Sequence, residues 1–346
     1  MLREIKEKIP LLKKTLINYN NIGVITHKNA DPDAIASVIA LREILLKKMN
    51  ANIKTFFPEG INSLSKRITE SLGIDIPEQD NIEGVELFIV TDTSSSTQLG
   101  KYLEYVTSKD IIIVDHHEGG DLSGKALLEI KTTNTSSSSE IVYILGRELG
   151  IEFDIRVLEL LMAGIIFDSK RFILAKPVTF NIVAELISRG VDYPKIIKLF
   201  NIRPELSERI ARIKASLRAR HFRIKNIIVT LTEVGAFEAS VARSLVELGS
   251  DLVLVVNQVG KNEVRLTARA SQYFVEETKI HVGKDVLAKL SEYFGGSGGG
   301  HSTAGGYTGY NTTAENVLDK ALDILVALLE EKGYASKEDL KGIGRD

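Results

Sequence analysis

The chain has 346 residues, of which 44% are hydrophobic and 26% charged, and this composition is typical of a folded protein with two domains of ordinary size. Its 44 basic and 46 acidic residues give a net charge of −2, which argues against a protein that coats long duplex DNA, since such a protein needs a basic excess. The absence of cysteine excludes disulfides, thiolate metal sites and cysteine nucleophiles.

The beginning of the sequence, MLREIKEKIPLLKKTL, mixes charged and apolar side chains and lacks the continuous apolar core of a signal peptide. The longest apolar run, residues 160–167, is too short to cross a bilayer. We therefore expect a cytoplasmic protein that has no membrane partner.

The first half of the chain alternates strand and helix patterns. Short apolar runs predict buried strands over residues 21–26, 52–57, 85–91 and 110–114. Helical patterns follow over residues 33–48, 63–72, 137–149, 155–166 and 178–188. Strands that alternate with helices predict a mostly parallel α/β sheet covered on both faces.

The second half begins with PELSERIARIKASLRARH, residues 204–221, which predicts a long charged helix that links two domains. A smaller α/β unit follows, with predicted strands and helices over residues 226–231, 237–248, 251–257, 263–269 and 314–331. The glycine-rich stretch GGSGGGHSTAGG, residues 295–306, is interpreted as a loop. The predicted organisation is a first domain, a linker helix and a second domain over residues 1–190, 191–224 and 225–335.

Side chains that can bind metals follow the predicted strands of the first half. They are His27, Asp31 and Asp33 after the first strand, Asp92 after the third, Asp115, His116 and His117 after the fourth, and Asp168 at the end of a helix. Ligands of open α/β sheets bind beyond the carboxyl ends of the strands, so three strands bring these groups to one rim. Singly, Asp31 and Asp33 are ordinary helix caps and Asp92 an ordinary turn residue, but together they predict a metal site.

The residue types at this rim indicate the kind of metal. Four carboxylates and two imidazoles without sulfur favour Mn²⁺, Mg²⁺ or Fe²⁺ over structural zinc. Clustered carboxylates repel one another strongly unless cations lie between them. Two divalent ions about 3.5–4 Å apart clamp a phosphoryl group and lower the pKa of a water, and Asp92, alone at its strand end, is the natural bridge. The sequence therefore predicts a two-metal phosphoesterase.

Four motifs resemble those of the DHH phosphoesterase superfamily: HKNADPDAIAS (27–37), TDT (91–93), DHH (115–117) and GIIFDSKRF (164–172). A fifth, GGGHSTAGGY (298–307), resembles the glycine-rich loop of the DHHA1 domain of that family. The motifs follow the family's order and span nearly the whole chain. The resemblance implies a bilobed α/β protein, with a mostly parallel DHH metal domain joined by a linker helix to a smaller α/β DHHA1 substrate domain.

The resemblance also implies a role for each motif residue. One Mn²⁺ would be held by His27, Asp31 and Asp92, and the other by Asp33, Asp92, His116 and Asp168, so that Asp92 bridges the two; Mg²⁺ or Co²⁺ would be substitutes. Asp115 would orient His116 from behind. His117 would face the phosphoryl group and either stabilise charge on it or protonate the leaving group.

In the second domain, the strand VRLTARAS (264–271) is similar to the one that carries a substrate-binding arginine, here Arg269. Gly299, Gly300 and His301 would offer backbone N–H groups and an imidazole to the same terminal phosphate. A flexible linker is the alternative for the glycine run. The basic residues within 218–225 are interpreted as a solvated face of the linker rather than a nucleic-acid track.

Some positions depart from the family's pattern. Ala30 and Pro32 stand where members often have Pro and Gly, and Gln98 stands where many carry Arg. Lys170 and Arg171 follow Asp168, where others often have Gly. NTSSSSEIV (134–142) is either a helix start behind the site, as in the family, or a capping stretch alone. These departures remove no ligand and bear on the substrate side.

Fold and metals do not determine the substrate. The leading hypothesis is cleavage of short single-stranded RNA or DNA to mononucleotides, as in the nanoRNase branch, together with phosphatase activity on 3′-phosphoadenosine 5′-phosphate.

A RecJ-like exonuclease is expected to be longer and more basic, and a cyclic dinucleotide phosphodiesterase to carry sensory or membrane segments. A family II pyrophosphatase would have a different second domain. The non-enzymatic alternative is a metal-free replication scaffold. A homodimer is left open.

Overall fold

The computed structural model describes residues 2–79, 81–201, 203–260 and 262–344. The chain divides into two compact units, Met1–Ile202 and Arg203–Asp346. Within the described ranges, no helix is long and apolar enough to cross a membrane.

The first unit is built on a five-stranded sheet in which all neighbouring strands run parallel, in the order β2-β1-β3-β4-β5. Its strands are β1 (Asn21–Ile25), β2 (Asn52–Phe56), β3 (Leu87–Thr91), β4 (Asp110–Asp115) and β5 (Leu128–Lys131). Its helices are α1 (Leu2–Leu16), α2 (Pro32–Lys48), α3 (Ser63–Leu72), α4 (Leu103–Thr107), α5 (Ser138–Glu148), α6 (Ile155–Asp168), α7 (Pro177–Ser188) and α8 (Tyr193–Phe200). The predicted α/β class with a parallel sheet is confirmed; β5 was not predicted.

Both faces of this sheet are buried, as the continuous apolar strands predict. On one face, Val24, Ile89 and Val114 belong to a core shared with α2, α5 and α6. On the other face, Phe56 and Phe88 pack with residues of the short helical segments that follow β3. With its faces covered, the sheet leaves the carboxyl ends of its strands free to carry polar groups.

The second unit contains a seven-stranded mixed sheet in the order β10-β11-β9-β8-β7-β6-β12, in which β7 and β8 run parallel. Its strands are β6 (Arg220–Ile224), β7 (Ile227–Glu233), β8 (Leu252–Val259), β9 (Glu263–Ala270), β10 (Ser297–Gly300), β11 (Ala304–Tyr310) and β12 (Leu340–Gly342). Its helices are α9 (Leu206–Arg218), α10 (Glu238–Leu248), α11 (Gln272–Thr278), α12 (Ala288–Phe294) and α13 (Ala314–Glu331), with a π-helical segment over Val282–Leu287.

The predicted linker helix is too long. It ends at Arg218, and the residues that follow form β6, which pairs antiparallel with β7, so that His221 lies opposite Thr230. Helical periodicity did not reveal this change, because β6 has only five residues and its basic side chains give no strong strand signal. The division between the two compact units falls inside the predicted linker, and the domain boundaries drawn from the sequence stay predictions.

The glycine-rich stretch was predicted as a loop, and this was wrong for most of it. Gly299 pairs with Gly306 and Gly300 with Gly305, so that β10 and β11 form an antiparallel hairpin at the edge of the sheet. Its backbone also packs against the π-helical segment, where a Cβ on Gly283 would lie 2.5 Å from the carbonyl carbon of Gly300. Glycine is thus required here for close backbone approach rather than for flexibility.

Candidate metal centre

Three adjacent strands of the first unit end in the predicted ligands. His27 lies just beyond β1, Asp92 directly follows β3, and His116 directly follows β4. Asp168 is the last residue of α6. Asp31 caps α2 by accepting hydrogen bonds from the backbone N–H groups of its first turn, and Asp33 lies in that turn. Asp31 is therefore a helix cap and a member of the cluster at the same time.

The six side chains form two groups that share Asp92. In the first group, Nε2 of His27 lies 3.6 Å from Oδ2 of Asp31 and 3.4 Å from Oδ2 of Asp92. The ligand atoms of these three residues lie within 4.8 Å of one another.

In the second group, Nε2 of His116 lies 3.5 Å from Oδ1 of Asp92 and 2.9 Å from Oδ2 of Asp168. Asp33 completes this group within the same limit of 4.8 Å. One oxygen of Asp92 thus faces each group, which is the arrangement that a bridging carboxylate requires.

Asp92 is held in an uncommon backbone conformation, with φ of 60°. Its backbone N–H donates to the carbonyl of Val114 on the neighbouring strand, at 3.0 Å. A left-handed conformation at a residue other than glycine is disfavoured, and such residues cluster at functional sites. The side chain is buried, with 2% of its surface exposed, so the fold sets the direction of this carboxylate.

The start of α5 holds the second group in place. The backbone N–H groups of Ser138 and Ser139 donate to the two oxygens of Asp33, at 2.7 and 2.9 Å, and the hydroxyl of Ser138 donates to Asp92 at 2.9 Å. A helix N-terminus of this kind stabilises a carboxylate through its free N–H groups. The sequence drew attention to the serine run but left capping alone as an alternative. Gly164 of α6 permits the approach, because a Cβ there would lie 2.3 Å from the Ser139 hydroxyl.

The charges of this cluster need a cation. Burial, together with the neighbouring carboxylates Asp92 and Asp168, raises the pKa of Asp33 well above its ordinary range, and burial also raises the pKa of Asp92. Burial alone would lower the pKa of His27, but the Asp31 and Asp92 carboxylates raise it to about 11. Without metal, the carboxylates of Asp31 and Asp92 therefore stabilise a protonated His27, which supplies the positive charge within the first group.

The nitrogen of His116 supplies a further test of metal fit. Its Nε2 atom is buried and lies 2.9 Å from Oδ2 of Asp168, but the direction of this contact is not that of a hydrogen bond, and the atom has no hydrogen-bond partner within the described part of the chain. A buried polar atom without a partner is rare in native proteins, and a bound ion commonly satisfies such an atom. Imidazole nitrogen and carboxylate oxygen are both suitable ligands for Mn²⁺. The residues present thus fit a divalent cation in each group.

Asp115 does not act as predicted. Its Oδ1 atom lies 2.8 Å from Nδ1 of His117 and also accepts the backbone N–H of His117, whereas the resemblance implied that it orients His116. The side chain of Asp115 is fully buried while that of His117 is 55% exposed. The hydrogen bond that His117 donates to Asp115 raises the pKa of His117, which favours the imidazolium form. The backbone conformation of the residues that follow β4 decides whether Asp115 contacts His116 or His117, and here it contacts His117.

Lys131 is a component of the site that the sequence did not reveal. Its ammonium group lies 3.6 Å from Oδ2 of Asp115 and donates to the hydroxyl of Ser94 at 2.7 Å and to the carbonyl of Gly119. It stands at the end of β5, a strand that was not predicted. The alternating pattern of LEIK is the only sequence signal that could have placed it at this rim.

A cleft of about 430 Å³ opens on this centre. It is lined by ligands of both groups, by His117 and by residues 93–95, which follow Asp92. The cleft is predominantly polar and gives His117 access to a bound molecule. Its size and lining suit a phosphate ester rather than an apolar ligand.

The predicted substrate residues of the second unit lie together at one end of its sheet. Arg269 of β9 pairs with Ala304 of β11, and His301 lies in the turn that joins β10 to β11, where its N–H donates to the Ala304 carbonyl at 2.7 Å. His301 is exposed, and Arg269 is half-buried. The Arg269 guanidinium forms no hydrogen bond or ion pair with any residue that the structure describes, so it is available to an anion. Gly299 and Gly300 adjoin this turn.

Comparison with known proteins gives a consistent family. Residues 21–165 match the DHH family, N-terminal domain, and residues 230–331 match the DHHA1 domain. An uncharacterized protein of Methanocaldococcus jannaschii is 30% identical over 318 residues, covering 90% of this chain and 95% of that protein. A bifunctional oligoribonuclease and PAP phosphatase, NrnA of Bacillus subtilis, is 28% identical over 87% of this chain and 93% of its own length.

Among solved structures, an exopolyphosphatase-related protein of Bacteroides fragilis has a TM-score of 0.61 at 17% identity, and the match covers 94% of this chain and 97% of that one. At this identity the likeness shows the fold alone. The two domain matches, the full-length relative and the two ligand groups agree with one another. The chain therefore belongs to the DHH/DHHA1 phosphoesterase superfamily and is a metal-dependent hydrolase of phosphoester bonds.

Proposed function

We propose that this enzyme hydrolyses very short single-stranded oligonucleotides to nucleoside monophosphates with two Mn²⁺ ions, and that it also removes a phosphate from 3′-phosphoadenosine 5′-phosphate. The observation that carries the chemistry is the pair of ligand groups that share Asp92. The substrate class is supported by NrnA of Bacillus subtilis, whose name describes both activities and 93% of whose length is matched.

In this proposal, His27, Asp31 and Asp92 hold one ion, and Asp33, Asp92, His116 and Asp168 hold the other. Two bound divalent ions would neutralise a phosphoryl group and lower the pKa of an attacking water. The protein contributes a fixed geometry, since Ser138 and Ser139 hold Asp33 and the left-handed backbone holds Asp92. Oxygen-rich mixed ligands support Mn²⁺, with Mg²⁺ or Co²⁺ as substitutes.

His117 is proposed as the proton donor to the leaving oxygen. Asp115 occupies its Nδ1 atom, and this hydrogen bond raises the pKa of His117, which favours the protonated ring. Because the ring lines the cleft, its second nitrogen can reach a bound phosphate ester. The same imidazolium would also stabilise negative charge on a non-bridging oxygen.

The second unit is proposed to bind a terminal phosphate of the substrate through Arg269, Gly299, Gly300 and His301. A half-buried guanidinium without a partner among the described residues can grip phosphate with two parallel hydrogen bonds. Such a hold favours a substrate that presents a terminal phosphate. The preference for a few nucleotides is supported by the oligoribonuclease in the name of the Bacillus subtilis relative.

A product time-course tests the proposal directly. RNA and DNA labelled at the 5′ end, from dinucleotides to oligonucleotides of increasing length, are incubated with enzyme and Mn²⁺, in parallel with 3′-phosphoadenosine 5′-phosphate, a cyclic dinucleotide and pyrophosphate. We expect mononucleotide products and the highest kcat/KM for the shortest strands. Fastest turnover of long single strands would instead indicate a RecJ-like exonuclease, and fastest turnover of the cyclic dinucleotide or pyrophosphate would indicate those activities.

The non-enzymatic alternative is tested with the same protein. A replication scaffold would bind no Mn²⁺ and cleave none of these substrates. Calorimetric titration with Mn²⁺, together with Asp92→Ala as the inactive control, separates a contaminating nuclease from activity of this site.

A further inference from the structure

The first unit contains a second cavity, of about 240 Å³, which lies away from the metal centre. Its floor is formed by Ile89 of β3 and Val114 of β4, in the middle of the sheet. Its walls are apolar side chains of α1, α2 and α5, among them Leu16, Leu41 and Leu145, each less than 10% exposed. Apart from two lysines, all described residues that line the cavity are apolar.

This cavity opens to solvent where the exposed residues Lys13, Ile17 and Lys48 line it, and its inner part lies among buried apolar side chains of the core. Protein interiors leave few voids larger than a water molecule, and an unfilled apolar void destabilises the fold in proportion to its volume. Water gains little there, because it finds no hydrogen-bonding partners in the apolar walls. An apolar cavity of about 150 Å³ stays dry and binds benzene, so the larger space here suits a hydrocarbon group of roughly eight to ten carbon atoms.

The two lysines stand at the mouth of the cavity. Lys13 of α1 and Lys48 of α2 both line it and are both exposed, beside the exposed side chain of Ile17. Neither ammonium group forms a hydrogen bond or ion pair with a residue in the described ranges. Lys47, the neighbour of Lys48, lies in a different environment, since it pairs with Glu43 at 2.6 Å. Two uncompensated cations at the entrance of an apolar space favour an occupant with a negative head and a hydrocarbon tail.

We propose that this cavity binds a medium-chain carboxylate, with its hydrocarbon tail between the sheet and helices α1, α2 and α5 and its carboxylate between Lys13 and Lys48. Burial of the tail supplies the affinity, because the removal of each methylene from water strengthens binding about fourfold. The paired lysines select the anionic head. This binding site is separate from the metal centre and does not depend on the substrate of the enzyme.

Calorimetric titration of the full-length protein with octanoate, octan-1-ol and acetate tests this inference. We expect saturable binding of octanoate with one molecule per chain, weaker binding of the alcohol and none of acetate. The variants Leu145→Phe and Leu41→Phe fill the cavity from two different walls and should each abolish binding of both long-chain ligands. Circular dichroism selects the one that keeps the native fold.

The double variant Lys13→Gln with Lys48→Gln should weaken octanoate binding by roughly five- to tenfold and leave binding of the alcohol unchanged. Lys14→Gln, at the next position of α1 and outside the cavity lining, is the matched control and should have no effect. Octanoate binding that survives both phenylalanine variants would overturn the inference, as would absence of binding. A dimer in sedimentation that dissociates in these variants would also overturn it, because a second copy would then fill the space.

Discussion

The carboxylate of Asp115 lies 2.8 Å from Nδ1 of His117, and the two residues are two positions apart in the chain. Burial alone would raise the pKa of Asp115, but the hydrogen bonds from His117 lower it, so the carboxylate stays ionised. An ionised, buried carboxylate behind an exposed imidazole fixes the tautomer and orientation of the ring and stabilises its protonated form. This arrangement supports the proposed role of His117 as a proton donor.

Replacing Asp115 by Asn should lower kcat by about 10²–10⁴-fold, the usual contribution of a positioned proton donor. Because the negative charge raises the pKa of His117, its loss should move the alkaline limb of the pH–rate profile to lower pH. The double variant with His117→Ala should be no slower than His117→Ala alone. If the loss of kcat in the double variant equalled the combined losses of the two single variants, Asp115 would not act through His117.

Replacing Asp92 by Ala should abolish metal binding and turnover together, since both ligand groups lose the same carboxylate. Loss of a residue that only hydrogen-bonds to a metal ligand weakens metal affinity by about 10–100-fold. Removal of a ligand that both groups share should weaken metal affinity by more than that. Calorimetric titration with Mn²⁺ measures the first effect and product formation the second. Asp323→Ala, an exposed aspartate of α13, is the control, and near-normal Mn²⁺-dependent activity of Asp92→Ala would refute the assignment.

Gly164→Ala should destabilise the protein by about 1–3 kcal/mol, the usual effect of overpacking. In most helices this change is stabilising, but here the added Cβ would lie 2.3 Å from the Ser139 hydroxyl and 2.9 Å from Oδ1 of Asp33. Urea unfolding measures the stability, and Mn²⁺ affinity should fall with it because Asp33 is displaced. Gly235→Ala, where a Cβ meets open space, is the control.

Glu140→Gln tests the pH dependence of stability. Glu140 is buried behind the site and accepts hydrogen bonds from Ser136 and Thr179, and burial raises its pKa. A carboxyl group with a raised pKa in the folded state favours folding most at low pH, and this contribution is lost as pH rises above the ordinary glutamate range.

Glutamine cannot ionise, so the stability of Glu140→Gln relative to wild type should increase between about pH 4 and pH 7. Each unit of pKa difference corresponds to about 1.4 kcal/mol. Unfolding in urea at several pH values gives the comparison. Glu70→Gln, at an exposed glutamate, is the control, and a stability difference between Glu140→Gln and wild type that does not change with pH would disprove the prediction.

Arg269→Ala should raise KM for short oligonucleotides by about 10–100-fold, as expected for loss of a hydrogen bond to a charged group, with kcat nearly unchanged. Arg265, four positions earlier on β9, is exposed and pairs with Glu263, so Arg265→Ala is the matched control. His301→Ala should behave like Arg269→Ala. A fall in kcat at constant KM would show that these residues act in the chemical step instead.

The sequence predicted the parallel sheet and the strand ends of the first unit well, because buried strands such as Leu87–Thr91 are continuous apolar runs with a polar residue directly after them. It did not predict β5, whose four residues alternate too briefly to be distinguished from a turn. As a result, the sequence did not place Lys131 at the site. The sequence also could not show which residue Asp115 contacts, since backbone geometry decides whether its carboxylate meets His116 or His117.

The second unit shows a different limit of the sequence. β10 and β11 are rich in glycine, which has low strand propensity, and they exist because β9 supplies a template for pairing. Composition therefore indicated a loop. The close packing of Gly283 and Gly300 backbones is visible only when residues distant in the chain are brought together.

The ligands of the metal centre come from segments of the chain between His27 and Asp168, and the second unit contributes none of the six side chains. Such a site does not exist in the unfolded chain, so the free energy of cation binding is also free energy of folding for the first unit. A divalent cation bound by these side chains would act as a reversible cross-link that closes a long stretch of chain. Removal of metal by a chelator would then weaken the first unit selectively, so that metal supply would govern the stability of this unit as well as its activity.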